Sequence, residues 1–199
     1  MKKIIFLFAL ASLFLLPNNA LAVETYTVQP GDSLWKISVK YRIGLSEIIE
    51  ANNHIENPDL IYPGQKVTIP SIDEIKRIEH KVIDLTNQQR ERYGLKPLRP
   101  DWELSRVARY KSEDMRTKQY FSHQSPTYGS PFNMMQDFGI SYRAAAENIA
   151  RGQSTPNKVV NAWMNSSGHR QNILNEQYTH IGVGYVKDGN YWTQMFISK

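Results

Sequence analysis

Apolar residues at intervals of three and four predict two long helices in the middle of the chain. The first has five apolar positions on one face: Ile72, Ile75, Ile78, Val82 and Leu85. Such spacing is typical of an amphipathic helix, and Gly94 is placed to end it. The second helix is predicted over residues 101–118, with Asp101 as its N-cap.

Shorter helices and alternating strands fill the carboxyl-terminal third. Helices are predicted over residues 131–138, 157–165 and 168–174, and strands over residues 146–150, 181–186 and 191–196. Asp188-Gly189 between the last two strands is a strong hairpin signal. Helices packed over an antiparallel sheet would bury these apolar faces, which predicts an α+β fold.

The chain divides near residues 70–73, where turn residues separate two patterns. Residues 26–70 predict a strand, two helices and a second strand, with Asp32 or Ser33 capping the first helix. So small a βααβ unit has little room for a catalytic cavity, which favours a binding module. We therefore expect one domain over residues 24–70, a linker over 71–77 and a second domain over 78–199.

The first residues have the pattern of an export signal. Lys2 and Lys3 precede an apolar run over residues 4–16, and Ala20-Leu21-Ala22 follows as a cleavage site. A run of this length is short of the roughly 20 residues that span a bilayer. We predict a signal peptide over residues 1–22, with no membrane-spanning segment after its removal.

Composition narrows the classes of function. The chain of 199 residues has no Cys, which excludes a Cys nucleophile and disulfide bonds. Its 24 Lys and Arg against 19 Asp and Glu give a net charge of +5. That mild excess could favour binding to anionic wall polymers. Nucleic-acid binding is not predicted, because the sequence has no basic run with interleaved aromatic residues.

Residues 26–70 resemble a LysM domain. The resemblance rests on YTVQPGDSLWKIS at 26–38, IEANN at 49–53 and LIYPGQKVTIP at 60–70. It implies binding to glycans that contain N-acetylglucosamine, here peptidoglycan. The two loops that would form the shallow glycan groove comprise Gly31, Asp32, Ser33, Leu34, Ile61, Tyr62, Pro63 and Gly64. Turn formation alone would also explain the glycines and prolines of these loops, without glycan contact.

Three residues in the second domain could carry chemistry. His123 lies in a polar loop after a helix, Glu147 stands among small and apolar residues, and His169 follows a glycine. Taken singly, each has a structural explanation, since a loop His is usually solvated and such a Glu can pair with an Arg.

The surrounding motifs resemble a bacterial CAP domain, the superfamily of cysteine-rich secretory, antigen 5 and pathogenesis-related 1 proteins. The strings are FSH at 121–123, AENIA at 146–150, AWMNSSGHRQNIL at 162–174 and YWTQMF at 191–196. The resemblance implies an α-β-α sandwich with a central cleft. It also implies that His123, Glu147 and His169 face this cleft and that the two His can bind zinc. A second Glu of similar domains is missing, with Asn165 or Ser166 nearest in the motif.

Three functions follow from these resemblances. The leading one is an exported, cell-wall-associated binding protein that holds peptidoglycan through its first domain, without turnover. The second is a wall-acting hydrolase, with Glu147 as general base and His123 and His169 positioning water or a metal. The third is lipid or sterol binding by the CAP domain. The resemblance and composition also suit a Gram-positive bacterium, including one that forms spores.

Overall fold

The computed structural model describes residues 24–41, 43 and 45–199, so the predicted signal peptide lies outside the described residues. The first domain has the predicted βααβ order. Its elements are β1 (Glu24–Thr27), α1 (Leu34–Tyr41), α2 (Leu45–Glu50) and β2 (Lys66–Ile69). The two strands pair antiparallel, with Tyr26 opposite Val67.

The first domain closes around a small aliphatic core. Leu34, Ile37, Ile48 and Val67 are all buried in it. The buried amide of Asn52 ties the second helix to the second strand: its Nδ2 donates to the carbonyls of Ile48 and Thr68, and its Oδ1 accepts from the Thr68 amide. One side chain thus satisfies backbone groups that neither element can pair internally.

The second domain contains five helices and four strands among the described residues. The helices are α3 (Asp73–Arg92), α4 (Trp102–Thr117), α5 (Pro131–Asp137), α6 (Pro156–Met164) and α7 (Ser167–Ile173). The strands are β3 (Arg99–Pro100), β4 (Ala144–Arg151), β5 (His180–Val186) and β6 (Tyr191–Ser198). Asp101 caps α4 as predicted, accepting from the Leu104 amide.

The four strands form one sheet in the order β3-β5-β6-β4. Helices α3, α6 and α7 cover one face through a core that includes Val82, Trp163 and Ile173. Helices α4 and α5 cover the other face through a second core that includes Leu104 and Met134. The architecture is therefore the α-β-α sandwich that the resemblance implied.

Helix α4 lies unusually close to strand β5. A Cβ atom at Gly184 would lie 2.1 Å from the Arg109 amide nitrogen, and one at Gly182 would lie 2.4 Å from the Leu104 carbonyl carbon. Both glycines are therefore required by contact between backbones and not by their own dihedral angles. This contact fixes the distance between α4 and the sheet. Helix α4 also carries residues that support the candidate site.

Helix α3 extends into the predicted linker, and one short strand was not predicted. Helix α3 begins at Asp73, in agreement with the helical spacing that starts at Ile72, so residues 73–77 are helical. Ile72 and Ile75 give the reason, because they pack on the core of the first domain and continue the helical spacing into it. The two-residue strand β3 was not predicted, since Arg99 and Pro100 carry no alternating pattern.

The two domains touch through α2 and α4. The Leu45 amide donates to the Tyr110 hydroxyl at 2.6 Å, and Nε of Arg109 lies 3.7 Å from Oε1 of Glu47. Arg109 also donates two hydrogen bonds to the buried carboxylate of Glu79. Across the described residues, no helix is long and apolar enough to cross a membrane.

Candidate functional site

Two of the predicted site residues form a direct pair. Nδ1 of His123, in the loop after α4, lies 2.7 Å from Oε1 of Glu147 on β4. The Glu147 side chain is 1% exposed, whereas that of His123 is 54% exposed. The pair therefore joins a buried carboxylate to an imidazole that solvent and ligands can reach.

The environment of Glu147 makes its carboxyl group less acidic than an ordinary Glu. Burial raises the pKa of Glu147, and this outweighs the lowering by the His123 hydrogen bond and by the positive charge of Lys111. Its second oxygen, Oε2, is buried without a hydrogen-bond partner among the described residues. A carboxyl group of this kind is suited to exchanging a proton with a bound molecule.

His169, on helix α7, lies near enough to His123 for the two side chains to interact electrostatically. Burial lowers the pKa of His169, and the nearby His123 lowers it further. The imidazole of His169 is thus held more firmly in its neutral form, in which one ring nitrogen can accept a hydrogen bond or bind a metal.

A network of buried amides holds α7 against the sheet. Asn148, next to Glu147 on β4, donates to the His169 carbonyl at 3.1 Å. Its Oδ1 accepts from Asn172 at 2.8 Å, and its Nδ2 also lies 3.1 Å from Oε1 of Gln194 on β6. The three amides come from separate elements and meet only in the fold, so their positions along the chain do not group them.

Helix α4 anchors the loop that carries His123. Nζ of Lys111 donates to the His123 carbonyl at 2.8 Å. One turn further along, the Asp114 carboxylate accepts from the hydroxyls of Tyr120, Ser125 and Thr127, each at 2.6 Å. Lys111 and Asp114 are both buried. Hydrogen bonds to these two oppositely charged side chains therefore hold the loop against α4.

Sequence analysis missed Lys111 and Asp114. Charged residues on an amphipathic helix are normally assigned to its solvated face. The only available signal was their spacing of three, which places both on one side of the helix.

The donor set of the cleft is small for a resident zinc ion. Among the side chains that the structure describes, no group of three or more His, Cys, Asp or Glu is arranged to hold a metal. Catalytic zinc sites use about three protein ligands, whereas Oε1 of Glu147 is occupied by His123. These residues do not fit a tightly held zinc ion, and weaker binding by His123 and His169 stays a prediction.

The two predicted glycan loops of the first domain lie side by side. The Val28 amide donates to Gln65, and the Gly64 amide donates back to the Val28 carbonyl, both at 2.9 Å. Gly31 and Gly64 adopt positive φ angles of 84° and 87°, which a side chain would oppose. Tyr62, at the tip of the second loop, is 61% exposed.

The remaining loop residues have different roles. Leu34 packs its side chain into the domain core, and glycan contact through its backbone stays a prediction. Asp32 accepts from the Tyr26 hydroxyl and the Gln29 amide, which closes the first loop. Ser33 accepts from the Lys36 amide and so caps α1. Pro63 is exposed, whereas Ile61 packs partly on the core.

Comparison with known families matches both halves of the chain. Residues 83–197 match the cysteine-rich secretory protein family, CAP, and residues 26–70 match the LysM domain.

Individual proteins resemble one half or the other. YkwD of Bacillus subtilis is 61% identical over 132 residues, which is 66% of this chain and 51% of that protein. SpoIVD-associated factor A of Bacillus subtilis is 47% identical over 49 residues, which is 25% of this chain and 13% of that protein. The chain thus spans about half the length of YkwD and a much smaller share of the LysM relative.

A solved structure has the same fold. It is an extracellular protein containing a SCP domain from Bacillus anthracis, 39% identical, with a TM-score of 0.60. The match covers 69% of this chain and 47% of that one.

Proposed function

The chain belongs to the cysteine-rich secretory protein (CAP) family and carries a LysM domain ahead of its CAP domain, and from this we propose that it is an exported, cell-wall-associated protein that binds peptidoglycan. In this proposal the LysM loops hold the N-acetylglucosamine glycan. The CAP domain presents the His123/Glu147/His169 cleft to a second wall component without turnover.

The geometry of the LysM loops carries the proposal. Two adjacent loops with backbone groups at their surface are suited to bonding acetamido groups, and an exposed aromatic ring is suited to packing on a sugar. Tyr62 supplies such a ring, and Leu60 beside it is 51% exposed. Export is supported by the signal-like residues 1–22 and by the extracellular description of the Bacillus anthracis relative.

A sedimentation assay with purified peptidoglycan tests glycan binding. We expect the chain from Val23 onward to pellet with the wall and Tyr62→Ala to weaken this binding about tenfold, or ~1.4 kcal/mol. Tyr93→Ala is the matched control, because Tyr93 is 58% exposed and lies outside the LysM domain. Equal binding by both variants would remove Tyr62 from the glycan site, and no pelleting would refute the proposal.

The second candidate function is a wall-acting hydrolase. The observation that favours it is Glu147, which is buried, has a raised pKa and lies in contact with an accessible imidazole. Glu147 would accept a proton from water, and His123 would orient and stabilise the carboxyl group. A glycosidase normally uses two carboxylates across the bond, and only Glu147 is in the cleft motif, so amide hydrolysis is the better fit.

Mass spectrometry of the soluble fraction separates the two functions. New muropeptides that disappear with Glu147→Gln would establish a hydrolase, provided the variant still pellets with the wall. Intact wall in every sample supports the binding protein. Parallel samples with added Zn²⁺ test whether His123 and His169 use a metal. If Zn²⁺ increases the release of muropeptides, His169→Ala should abolish that increase.

A further inference from the structure

An open cleft of about 480 Å³ lies between the LysM and CAP domains. It is distinct from the His123/Glu147/His169 site. Trp35, Leu45 and Ile49 line it from the LysM side, and Tyr110, Tyr128 and Phe138 line it from the CAP side. Its volume falls within the range of small-molecule sites, and four of its eleven lining residues are aromatic.

The LysM wall of the cleft continues from a predicted glycan loop. Trp35 directly follows Leu34, the last residue of that loop, and opens the first turn of α1. Leu34 is buried, whereas Trp35 is 48% exposed, so the indole ring is left at the surface. Nζ of Lys36 donates to the Gly31 carbonyl at 2.6 Å, which holds this turn against the loop.

The CAP wall of the cleft combines Tyr110 of α4 and Phe138 at the end of α5 with Tyr128 of the loop that carries His123. The Phe138 ring contacts Tyr110 and Tyr128, with centroids 5.2 Å and 5.7 Å apart. Next to Tyr128, Thr127 donates to the Asp114 carboxylate, which also anchors this loop to α4. The cleft therefore lies between the two regions to which a function has been assigned.

The chemistry of the walls is that of a saccharide site. Flat rings suit the C–H faces of pyranose rings, and the charged groups of Glu113 and Lys118 at the rim suit hydroxyl and acetamido groups. A lipid chain would instead favour an enclosed apolar cavity, whereas this cleft is open and its rim is charged. The contact between Leu45 and Tyr110 fixes the two walls relative to each other.

We propose that this interdomain cleft is a second binding subsite for N-acetylglucosamine glycan, with Trp35 as its stacking platform. It extends the LysM groove toward the CAP domain, so that a long glycan contacts both domains. The inference rests on the proposed glycan binding and adds to it a dependence on glycan length.

Calorimetry with chitin oligosaccharides of increasing length tests the subsite. In the chain from Val23 to Lys199, we expect an octamer to bind more tightly than a trimer. Trp35→Ala should weaken the octamer about tenfold and the trimer less than twofold. Tyr93→Ala removes an equally exposed ring elsewhere and should change neither affinity.

A second variant tests the kind of ligand. Trp35→Leu keeps an apolar side chain without a flat ring, so we expect it to lose octamer affinity as Trp35→Ala does. Circular dichroism should show both variants folded, since Trp35 is half exposed. Binding of a dansyl-labelled fatty acid is measured in parallel, to test a lipid as the alternative ligand.

Four outcomes would overturn the subsite. Equal loss of trimer and octamer affinity in Trp35→Ala would place Trp35 in the LysM groove alone. Unchanged octamer affinity, or fatty-acid binding that depends on Trp35 while octamer binding does not, would refute a glycan subsite and leave LysM binding intact. Failure of the parent chain to bind any oligosaccharide would refute the proposed function together with it.

Discussion

At the scale of single residues, Asp114 is the buried carboxylate that anchors the loop of the candidate site. Burial raises the pKa of Asp114, but hydrogen bonds from Ser125, Thr127 and Tyr120 and the charge of Lys111 outweigh it. The net effect holds the pKa of Asp114 below its ordinary value. A carboxylate of this kind stabilises the folded protein only while it is ionised.

Asp114→Asn should therefore destabilise the protein at neutral pH and much less in acid. The stability that Asp114 contributes is fully present above its unfolded pKa of 3.8 and is lost as pH falls through the lower folded value. We expect a loss of ~1–3 kcal/mol near neutral pH. Urea unfolding of both proteins across the acid range measures it, and a difference that stays constant with pH would contradict the assignment.

The predicted site residues and the missed ones differ in the kind of signal they give. His123, Glu147 and His169 stand in recognisable motifs, so their sequence neighbours identify them. Lys111 and Asp114 act on a loop that folds back over their own helix, and their spacing of three is the one local sign of this role. A loop motif also does not show which of its side chains turns inward, as that of Leu34 does.

At the scale of elements, the contact between α4 and β5 depends on two residues without side chains. A methyl group at Gly184 would lie 2.2 Å from the Ala108 carbonyl carbon and would have to push helix and strand apart. Because Lys111 and Asp114 are on the same helix, this displacement would also move the supports of the His123 loop.

Gly184→Ala should therefore cost roughly 3 kcal/mol of unfolding free energy or more, since backbone atoms cannot move aside as side chains can. Gly168→Ala is the matched control: it lies in α7, and a Cβ there would meet nothing within 4 Å. Because Ala favours helices, the control should be neutral or gain ~0.5 kcal/mol. Denaturant unfolding gives both values, and similar stabilities would disprove the close contact.

The helices and the hairpin were predicted well because their periodicity reflects burial on one face. Helix α4 is one residue shorter at each end than its predicted range. The short strand β3 escaped detection because its pairing with β5 is tertiary: Arg99 and Pro100 lie opposite His180 and Ile181.

At the scale of the whole molecule, the hydrogen bond from Leu45 to Tyr110 connects the two domains. Tyr110→Phe removes this acceptor and keeps the ring. We expect the Leu45 amide to exchange with deuterium about tenfold faster, a change of ~1.4 kcal/mol in local protection.

Exchange measured residue by residue with nuclear magnetic resonance tests this connection. Tyr93→Phe, at an exposed position on the CAP domain, should leave the Leu45 amide unchanged. Protection of Leu45 that persists in Tyr110→Phe would mean that the two domains do not hold this contact in solution.

The strand order has a consequence for the sequence of folding events. The LysM sheet pairs β1 with β2, so this domain has all its strands once residue 69 is available. Strand β6 follows every other strand of the CAP sheet in the chain, yet it pairs with both β4 and β5 at the sheet's interior. In a chain emerging amino-terminus first, the LysM strands would thus be able to pair while the CAP sheet still lacked β6, and the LysM domain would be complete before the CAP domain.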